Sequence, residues 1–398
     1  MGSIGSSHHD PQLAASASSN EAADMITLDC SKLHGSAAER GEALRQLDHA
    51  LQTYGFIYLA NHGMPAEVYD HALGWINPPR PNPKKLTNRL HSKRFFALDA
   101  ATKNLIPRPA SDALEDHLGY AEYGVGHISQ LVFDEAAVEA HRRASPDHKE
   151  TLEVGNPADP KNRWLPESVL PGFRAFYARF WAACNEVEAA LRRALCDILA
   201  IEPDRLCRMQ SQRFGHISFL HYPQMVLQSA AATATATTAA GQAPRRLNAH
   251  TDYGGLTLVF QDHVGGLEVH DGAVFRPVAP KPGTIVVNVG DMLERQSNGR
   301  WKSALHQVVG PREETLGLGE PAAAAAAAAV RSDAGKLVFD RYSIAYTGAV
   351  DPEVMIETLP GCDVPGKWRP SMADWDQEKP VTSYEWLTKR VAAEYHQG

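Results

Sequence analysis

The chain has 398 residues, of which 43% are hydrophobic and 22% charged, a composition typical of a globular protein with a sizeable core. Its formal net charge of -8 argues against nucleic-acid binding, which uses a basic surface. Five cysteines without a Cys-x-x-Cys pair argue against a disulfide framework or a zinc ribbon and favour a cytoplasmic location. No apolar run approaches the roughly 20 residues of a membrane span, so we expect a soluble protein.

The N-terminal part predicts a tail followed by an α/β region. Residues 1–24 are rich in Ser, Ala and His and have almost no large apolar side chain, so we expect a disordered tail. Order is expected from a short strand at 25–28, followed by an amphipathic helix that ends at Tyr54 and a strand at 56–59. These elements open an N-terminal α/β region that we place at 25–170.

Three segments of low complexity interrupt the predicted elements. They are a proline-rich segment at 77–89, an Ala/Thr repeat at 230–244 and an alanine-rich segment at 314–335. Such compositions rarely pack into a core, so we expect all three to loop out as surface insertions.

A long amphipathic helix is predicted at 171–204. Apolar residues recur there at steps of three and four, namely Phe173, Phe176, Tyr177, Phe180, Cys184, Val187, Leu191, Leu195 and Ile198. This period places them on one face, which we expect to pack against a sheet.

The pattern then changes to short β segments separated by Gly, Asn and Asp. These segments are 217–222, 256–260, 266–270, 284–289, 305–309 and 337–347. Many short strands with turn signals predict a mainly β sandwich or barrel, here at 205–350, with flanking helices and a C-terminal helical region at 351–398.

The β region contains three candidate metal ligands, His250, Asp252 and His306, which we call the metal triad. Residues two apart in a strand point to the same face, so the first two can converge on one ion. The spacing alone is weak evidence, because the tail repeats it at 8–10; the strand context and the third ligand strengthen it. Two histidines and a carboxylate suit iron(II), although zinc remains open.

A second constellation, Arg341 and Ser343 with Tyr222, is a candidate carboxylate clamp. Arg341 and Ser343 are two apart and share one face of a strand, and Tyr222 offers a further hydroxyl. A buried arginine needs an anionic partner, and a charge-assisted bond to a dicarboxylate contributes about 1.5–3 kcal/mol. The combination of clamp and triad therefore predicts a site for a metal and a small diacid.

Ordered motifs extend these two constellations along most of residues 25–395. They are YGFIYL at 54–59, NHG at 61–63, FFAL at 95–98, GY at 119–120, HTDYGGLT at 250–257, GGLEV at 265–269, PGT at 282–284, VNVGD at 287–291, KSALH at 302–306 and RYSI at 341–344. With them the sequence resembles the 2-oxoglutarate and Fe(II)-dependent dioxygenase superfamily, in the branch of isopenicillin N synthase and closest to fungal members.

The resemblance implies a double-stranded β-helix, or jelly roll, that binds iron(II) on the metal triad and 2-oxoglutarate on the carboxylate clamp. Dioxygen is the further co-substrate, and succinate and CO2 are released. The implied activity is hydroxylation, desaturation or rearrangement of a small organic molecule such as a secondary-metabolite intermediate. The sequence does not predict the oligomeric state.

Candidate substrate contacts are Tyr253, next to the metal pair, and Tyr120 and Tyr123 on the loop that follows Gly119. The sequence shows no second charged clamp, which favours an uncharged carbon skeleton. Ser218 is small where some nucleobase-oxidising relatives carry larger polar or basic groups, which argues against a pyrimidine.

Two alternatives remain at this point. An oxidase of the isopenicillin N synthase type would keep the fold and the iron without oxoglutarate, since that enzyme uses its own Arg-x-Ser pair for substrate. A non-catalytic jelly-roll binding protein, with structural zinc, is the other alternative.

Overall fold

Fifteen short strands and a set of helices form the part of the chain that the structure, a computed structural model, describes. This part comprises residues 18–76, 94–109, 117–125, 147–227, 245–310, 331–332, 335–368 and 381–395. The strands are β1 (Thr27–Asp29), β2 (Phe56–Ala60), β3 (Gly119–Ala121), β4 (Glu150–Gly155), β5 (Gly215–Tyr222), β6 (Met225–Leu227), β7 (Arg245–His250), β8 (Leu256–Gln261), β9 (Leu267–His270), β10 (Phe275–Pro277), β11 (Ile285–Val289), β12 (His306–Val309), β13 (Arg331–Ser332), β14 (Gly335–Val338) and β15 (Arg341–Gly348).

Helices accompany these strands. A 3-10 helix at Cys30–His34 is followed by α1 (Ala37–Thr53), α2 (Ala66–Ile76), α3 (Ala100–Lys103), α4 (Phe173–Ile198), α5 (Arg205–Arg208), α6 (Asp291–Gln296) and α7 (Ser383–Tyr395). Helix α1 begins with a capping box, in which Ser36 and Glu39 bond each other's backbone N–H groups. Among the helices of the described residues, none combines the length and apolarity that crossing a membrane requires.

Two sheets form the core. The larger has eight strands in the order β1-β2-β11-β8-β15-β5-β4-β3, and the smaller has four in the order β10-β9-β12-β7. Apart from the parallel pair β1 and β2, the strands of both sheets pair antiparallel. Side chains from both sheets, among them Tyr58, Leu220, Val269 and Val308, pack together between them. The predicted mainly β, jelly-roll fold with flanking helices is confirmed.

Strand β15 shows how the alternation of residues builds two layers. Arg341 and Ser343 face the space between the sheets, where they line a cavity. Ile344 and Tyr346 face the opposite side and belong to the large core under the helices. Because successive side chains point to opposite faces, one strand supplies both the packing face and the functional face.

The packing face of the large sheet is covered mainly by α4. This helix occupies the stretch for which the 3.6-residue period predicts one, and its apolar side chains are buried in the large core. Phe180 packs edge-on against Phe260 of β8 at a ring-centroid distance of 5.0 Å. The helix layer thus supports the strands from behind and leaves their other face free for chemistry.

The structure differs from the sequence-based organisation in the N-terminal tail and in the last predicted β segment. Part of the predicted tail is ordered along β10, because Ser19 N–H bonds the carbonyl of Phe275 at 2.7 Å and Ala23 N–H that of Pro277 at 3.0 Å. The single β segment predicted at 337–347 is two strands. Strand β14 belongs to a small three-stranded sheet with β13 and β6, and β15 belongs to the eight-stranded sheet.

The predicted insertions fall largely outside the described residues. This holds for 77–89, for 230–244 and for 314–330 with 333–334. The end of the third segment is part of β13 and β14, where the structure has strands instead of the expected loop.

Candidate active site

The metal triad lies where β7 and β12 meet. His306 is the direct antiparallel partner of His250, and their ring centroids are 4.2 Å apart. Asp252 follows two residues after the end of β7, and its Oδ1 lies 3.7 Å from Nε2 of His250 and 3.6 Å from Nε2 of His306. The structure therefore brings together the three residues that the sequence proposes as metal ligands, with the candidate ligand atoms within 4.8 Å of one another.

Backbone carbonyls set the tautomers of the two histidines. Nδ1 of His250 lies 2.8 Å from the carbonyl oxygen of Asn248, and Nδ1 of His306 lies 3.1 Å from that of Ala304. A carbonyl can only accept, so each Nδ1 carries the proton and each Nε2 presents its lone pair toward Asp252. This arrangement is common for metal-binding histidines.

The carboxylate of Asp252 is oriented by β11 and the turn that follows it. Asn288 donates from Nδ2 to Oδ2 of Asp252 at 2.6 Å, which leaves Oδ1 to face the two imidazoles. The N–H of Asp291 bonds the carbonyl of Asp252 at 2.8 Å. A side chain at Gly290 would collide with the carbonyl oxygen of Gly254, so glycine is needed at this close approach.

The electrostatics of the triad favour a neutral His250 beside an ionised Asp252. Burial and the neighbouring His306 together lower the pKa of His250 to about 3. Burial alone would raise the pKa of Asp252, but His306, His250 and Asn288 hold it below its ordinary value. Neutral imidazoles and a carboxylate are the donor set that divalent metal ions of the first transition row accept.

The carboxylate clamp lies on two adjacent strands. Arg341 of β15 pairs with Tyr222 of β5, and its guanidinium carbon lies 4.8 Å from the centre of the Tyr222 ring. Nη1 of Arg341 donates to Oγ of Ser343 at 3.0 Å. The structure thus places Arg341 in contact with both of the other clamp residues.

The charge of Arg341 is buried and incompletely paired. The residue is 1% exposed, and its Nε has no hydrogen-bond partner among the described residues. Burial raises the pKa of Asp262, although the nearby charge of Arg341 opposes this, and the Asp262 oxygens accept from the N–H groups of Tyr342 and Val264. A buried cation with an unfilled donor favours an anionic ligand.

The triad and the clamp line one cavity of about 190 Å³. Of the three tyrosines expected at the substrate, Tyr253 lines this cavity. Tyr120 lies on the packing face of the large sheet with Leu152, and its hydroxyl donates to Glu150. Tyr123 is 52% exposed and contacts His148. Neither Tyr120 nor Tyr123 is among the described residues that line the cavity.

Sequence reasoning missed four ionisable side chains of the cavity wall, His117, Lys149, Glu153 and His216. Lys149 immediately precedes β4, Glu153 lies in β4, and His216 lies in β5. The expectation of an uncharged substrate rests on the lack of a second charged clamp in the sequence, and the cavity wall contains two further charged side chains, Lys149 and Glu153. The alternation Lys149-x-Thr151-x-Glu153 is the available signal, since such residues share one face of a strand.

A jelly roll with two histidines, an aspartate and a buried arginine in one cavity defines the class of mononuclear non-haem iron oxygenases. Comparison with known proteins agrees. Residues 217–346 match the model of the 2OG-Fe(II) oxygenase superfamily, and residues 27–77 match that of the non-haem dioxygenase in morphine synthesis N-terminal region.

Relatives match over nearly the whole chain. The 2-oxoglutarate-dependent dioxygenase lolO2 of Epichloe uncinata is 35% identical over 392 residues, covering 94% of this chain and 95% of that protein. The proline hydroxylase buaE of Petromyces alliaceus is 32% identical and covers 88% and 96%. A full-length Neurospora crassa protein, whose crystal structure contains alpha-KG and thymine, is 28% identical, with a TM-score of 0.70 and coverage of 93% and 96%.

The chain belongs to the 2OG-Fe(II) oxygenase superfamily. It is an oxidoreductase that uses iron(II), 2-oxoglutarate and dioxygen. The sequence allows a 2-oxoglutarate-dependent dioxygenase, an oxidase without oxoglutarate or a non-catalytic binding protein. These relatives support the first. The donor set of the triad and the unfilled donor of Arg341 fit this cofactor and co-substrate.

Proposed function

We propose that the protein oxidises a small organic molecule, an intermediate of secondary metabolism, with the metal triad as the iron site and the carboxylate clamp as the oxoglutarate site. The observation that carries this proposal is that triad and clamp line the same cavity although they come from different sheets. Iron(II) chelated by oxoglutarate supplies the oxidising chemistry through reaction with dioxygen, which converts the oxoacid to succinate and CO2.

The residues of the chain position and shield this chemistry. His250, Asp252 and His306 would hold the iron, and the cavity beside them would leave room for the oxoacid and dioxygen. Arg341 and Ser343 bind the distal carboxylate of oxoglutarate, and the ring of Tyr222 covers the guanidinium. The apolar side chains of Val259 and Val308 line the cavity and keep bulk water away from the reacting atoms.

The relatives support a small-molecule substrate. One family model is named for morphine synthesis, one relative is a proline hydroxylase, and one solved structure contains thymine. These molecules are all small but differ in chemistry. The substrate of this chain therefore has to be inferred from the side chains that line its own cavity.

The test is anaerobic addition of iron(II) and oxoglutarate to the purified protein. A weak visible charge-transfer band is expected for the wild type, and Asp252→Ala is expected to abolish it because the anionic ligand is lost. Asp70→Ala, at an exposed position of α2, is the matched control and should retain the band. In air, succinate release should depend on both additions. A wild-type protein with neither band nor succinate would contradict the proposal.

A further inference from the structure

Among the described residues that line the cavity, Glu153 is the one acidic side chain outside the metal triad. It is 9% exposed. Its hydroxyl neighbour Ser218 donates to Oε2 at 2.6 Å, which fixes the carboxylate on the cavity wall. A carboxylate held in this position must be solvated or paired, because burying an uncompensated charge is costly.

The strand register separates Glu153 from the oxoglutarate clamp. Glu153 pairs with Ser218 of β5, which in turn pairs with Ala345 of β15. Ala345 is four residues beyond Arg341 and two residues beyond Ser343, distances of about 13 Å and about 7 Å along a strand. Glu153 therefore belongs to a different level of the cavity from the clamp, and we assign this level to the substrate.

His216 is a basic side chain beside Glu153, and it pairs with the carboxylate only when its imidazole is protonated. Nε2 of His216 lies 3.6 Å from Oε2 of Glu153, beyond hydrogen-bond distance. Lys149, the other charged side chain of this wall, lies 3.9 Å from its own carboxylate partner, Asp147. Within the described part of the chain, no lysine or arginine forms an ion pair with Glu153.

We propose that Glu153 binds a protonated nitrogen of the substrate, so that the substrate class is a basic aliphatic amine. This inference rests on the proposed function and deepens it. Leu220, Val259 and Ala345 line the same cavity as Glu153 and supply an apolar surface for the carbon skeleton. One cationic nitrogen on an aliphatic skeleton matches the fixed carboxylate and these apolar side chains, while Lys149 of the same wall lies beside its own carboxylate, Asp147.

The experiment uses matched probes that differ in charge. Aliphatic cyclic amines are compared with their N-acetyl amides, and thymine serves as a neutral heterocycle. Binding is measured anaerobically as a shift of the charge-transfer band of the iron and oxoglutarate complex, and turnover as the rise in succinate release. We expect amines to bind and to stimulate turnover, and the amides and thymine to do neither.

The variant Glu153→Gln tests the residue itself. The glutamine amide can still accept from Ser218, so the fold is retained while the charge is removed. We expect the Kd for amines to rise about ten- to hundredfold, the range for one charge-assisted hydrogen bond, and the Kd for oxoglutarate to stay unchanged. Glu122→Gln, an exposed position outside the cavity, is the matched control.

The outcomes separate this inference from the proposed function. If no amine binds, if amines and amides bind equally, or if Glu153→Gln binds amines as the wild type does, the inference is overturned. The charge-transfer band and the succinate released without substrate do not depend on Glu153. Their presence would leave the iron and oxoglutarate function standing in each of these cases.

Discussion

The guanidinium carbon of Arg390 lies 4.6 Å from the centre of the Tyr253 ring, and this contact joins the C-terminal helix α7 to the loop that carries Asp252. Nη2 of Arg390 also forms an ion pair with Oδ2 of Asp291 at 2.7 Å, and both side chains are at most 10% exposed. Trp386 adds a hydrogen bond from Nε1 to the carbonyl of Tyr253 at 3.1 Å. A segment far from the metal triad in sequence thus positions the loop that carries Asp252.

Replacing Arg390 should therefore affect both stability and metal binding. Arg390→Met leaves Asp291 buried without its partner, and we expect a loss of about 3–5 kcal/mol in the free energy of unfolding. Iron affinity should also fall, because the loop of residues 251–253 loses its support. Urea unfolding and anaerobic iron titration measure the two effects. The neighbouring exposed Lys389→Met is the control, and an Arg390→Met protein that matches it in both measurements would contradict the role.

Arg341 should show the opposite relation between stability and function. Burial and the charge of Arg341 together lower the pKa of Arg246 to about 10, so two buried guanidinium groups repel each other. We expect Arg341→Met to raise the Kd for oxoglutarate about ten- to hundredfold. Without oxoglutarate, the variant should be at least as stable as the wild type, because a poorly paired buried charge is removed.

Two further variants test whether the carboxylate clamp binds oxoglutarate. Ser343→Ala should raise the oxoglutarate Kd by about fivefold, since it removes one hydrogen bond worth about 1 kcal/mol. Arg45→Met, in an exposed ion pair of α1, should change neither oxoglutarate binding nor stability. Unchanged oxoglutarate affinity in Arg341→Met would remove this residue from the clamp.

The features that could be predicted from sequence are those with local signals. The metal pair has a spacing of two, the clamp repeats that spacing, and α4 shows a clear helical period. The jelly-roll topology itself required the family resemblance, because strand order depends on pairings between distant segments such as β2 with β11. Short strands alone indicate a sandwich or barrel without specifying it.

The substrate wall could not be predicted in the same way. Glu153 faces the cavity only because β4 pairs with β5, more than 60 residues further along the chain. The sequence predicts Tyr120 at the cavity from its place in a loop, but this residue lies in β3 with its side chain on the packing face. For both residues the deciding fact is the face of a strand, and that face is set by long-range pairing.

Asn288 provides a test of how the carboxylate of the metal triad is oriented. Its amide holds Oδ2 of Asp252, so Asn288→Leu should let the carboxylate turn away from the imidazoles. We expect iron affinity to fall about ten- to hundredfold, the usual effect of losing a partner that orients a metal ligand. Anaerobic iron titration measures it. Val287→Ala is the control, since Val287 packs in the helix-side core and reports destabilisation alone; equal iron affinities in the two variants would contradict the prediction.

The last prediction concerns a buried ionic cluster on the packing side of β5. His221 lies between two carboxylates, with Nδ1 2.7 Å from Oε1 of Glu150 and Nε2 2.9 Å from Oδ1 of Asp340. Both carboxylates accept, so both ring nitrogens carry protons and the ring is an imidazolium. Burial alone would lower the pKa of His221, but the bonds to Asp340 and Glu150 raise it overall. His221 also stacks on Tyr342 at a centroid distance of 4.4 Å.

Because the pKa of His221 is raised in the folded state, its contribution to stability is complete below the unfolded value of about 6.5 and is lost as the pH rises through the folded value. Burial alone would raise the pKa of Glu150, but the bonds from His221, Lys103 and Tyr120 lower it, so its contribution is lost only as the pH falls below about 4.3. We therefore expect His221→Gln to be most destabilising between about pH 5 and 6.5 and to approach the wild type in alkaline solution. Urea unfolding of both proteins from about pH 5 into alkaline solution measures the difference in the free energy of unfolding. A difference that stays constant with pH would show that the histidine is neutral in the folded protein.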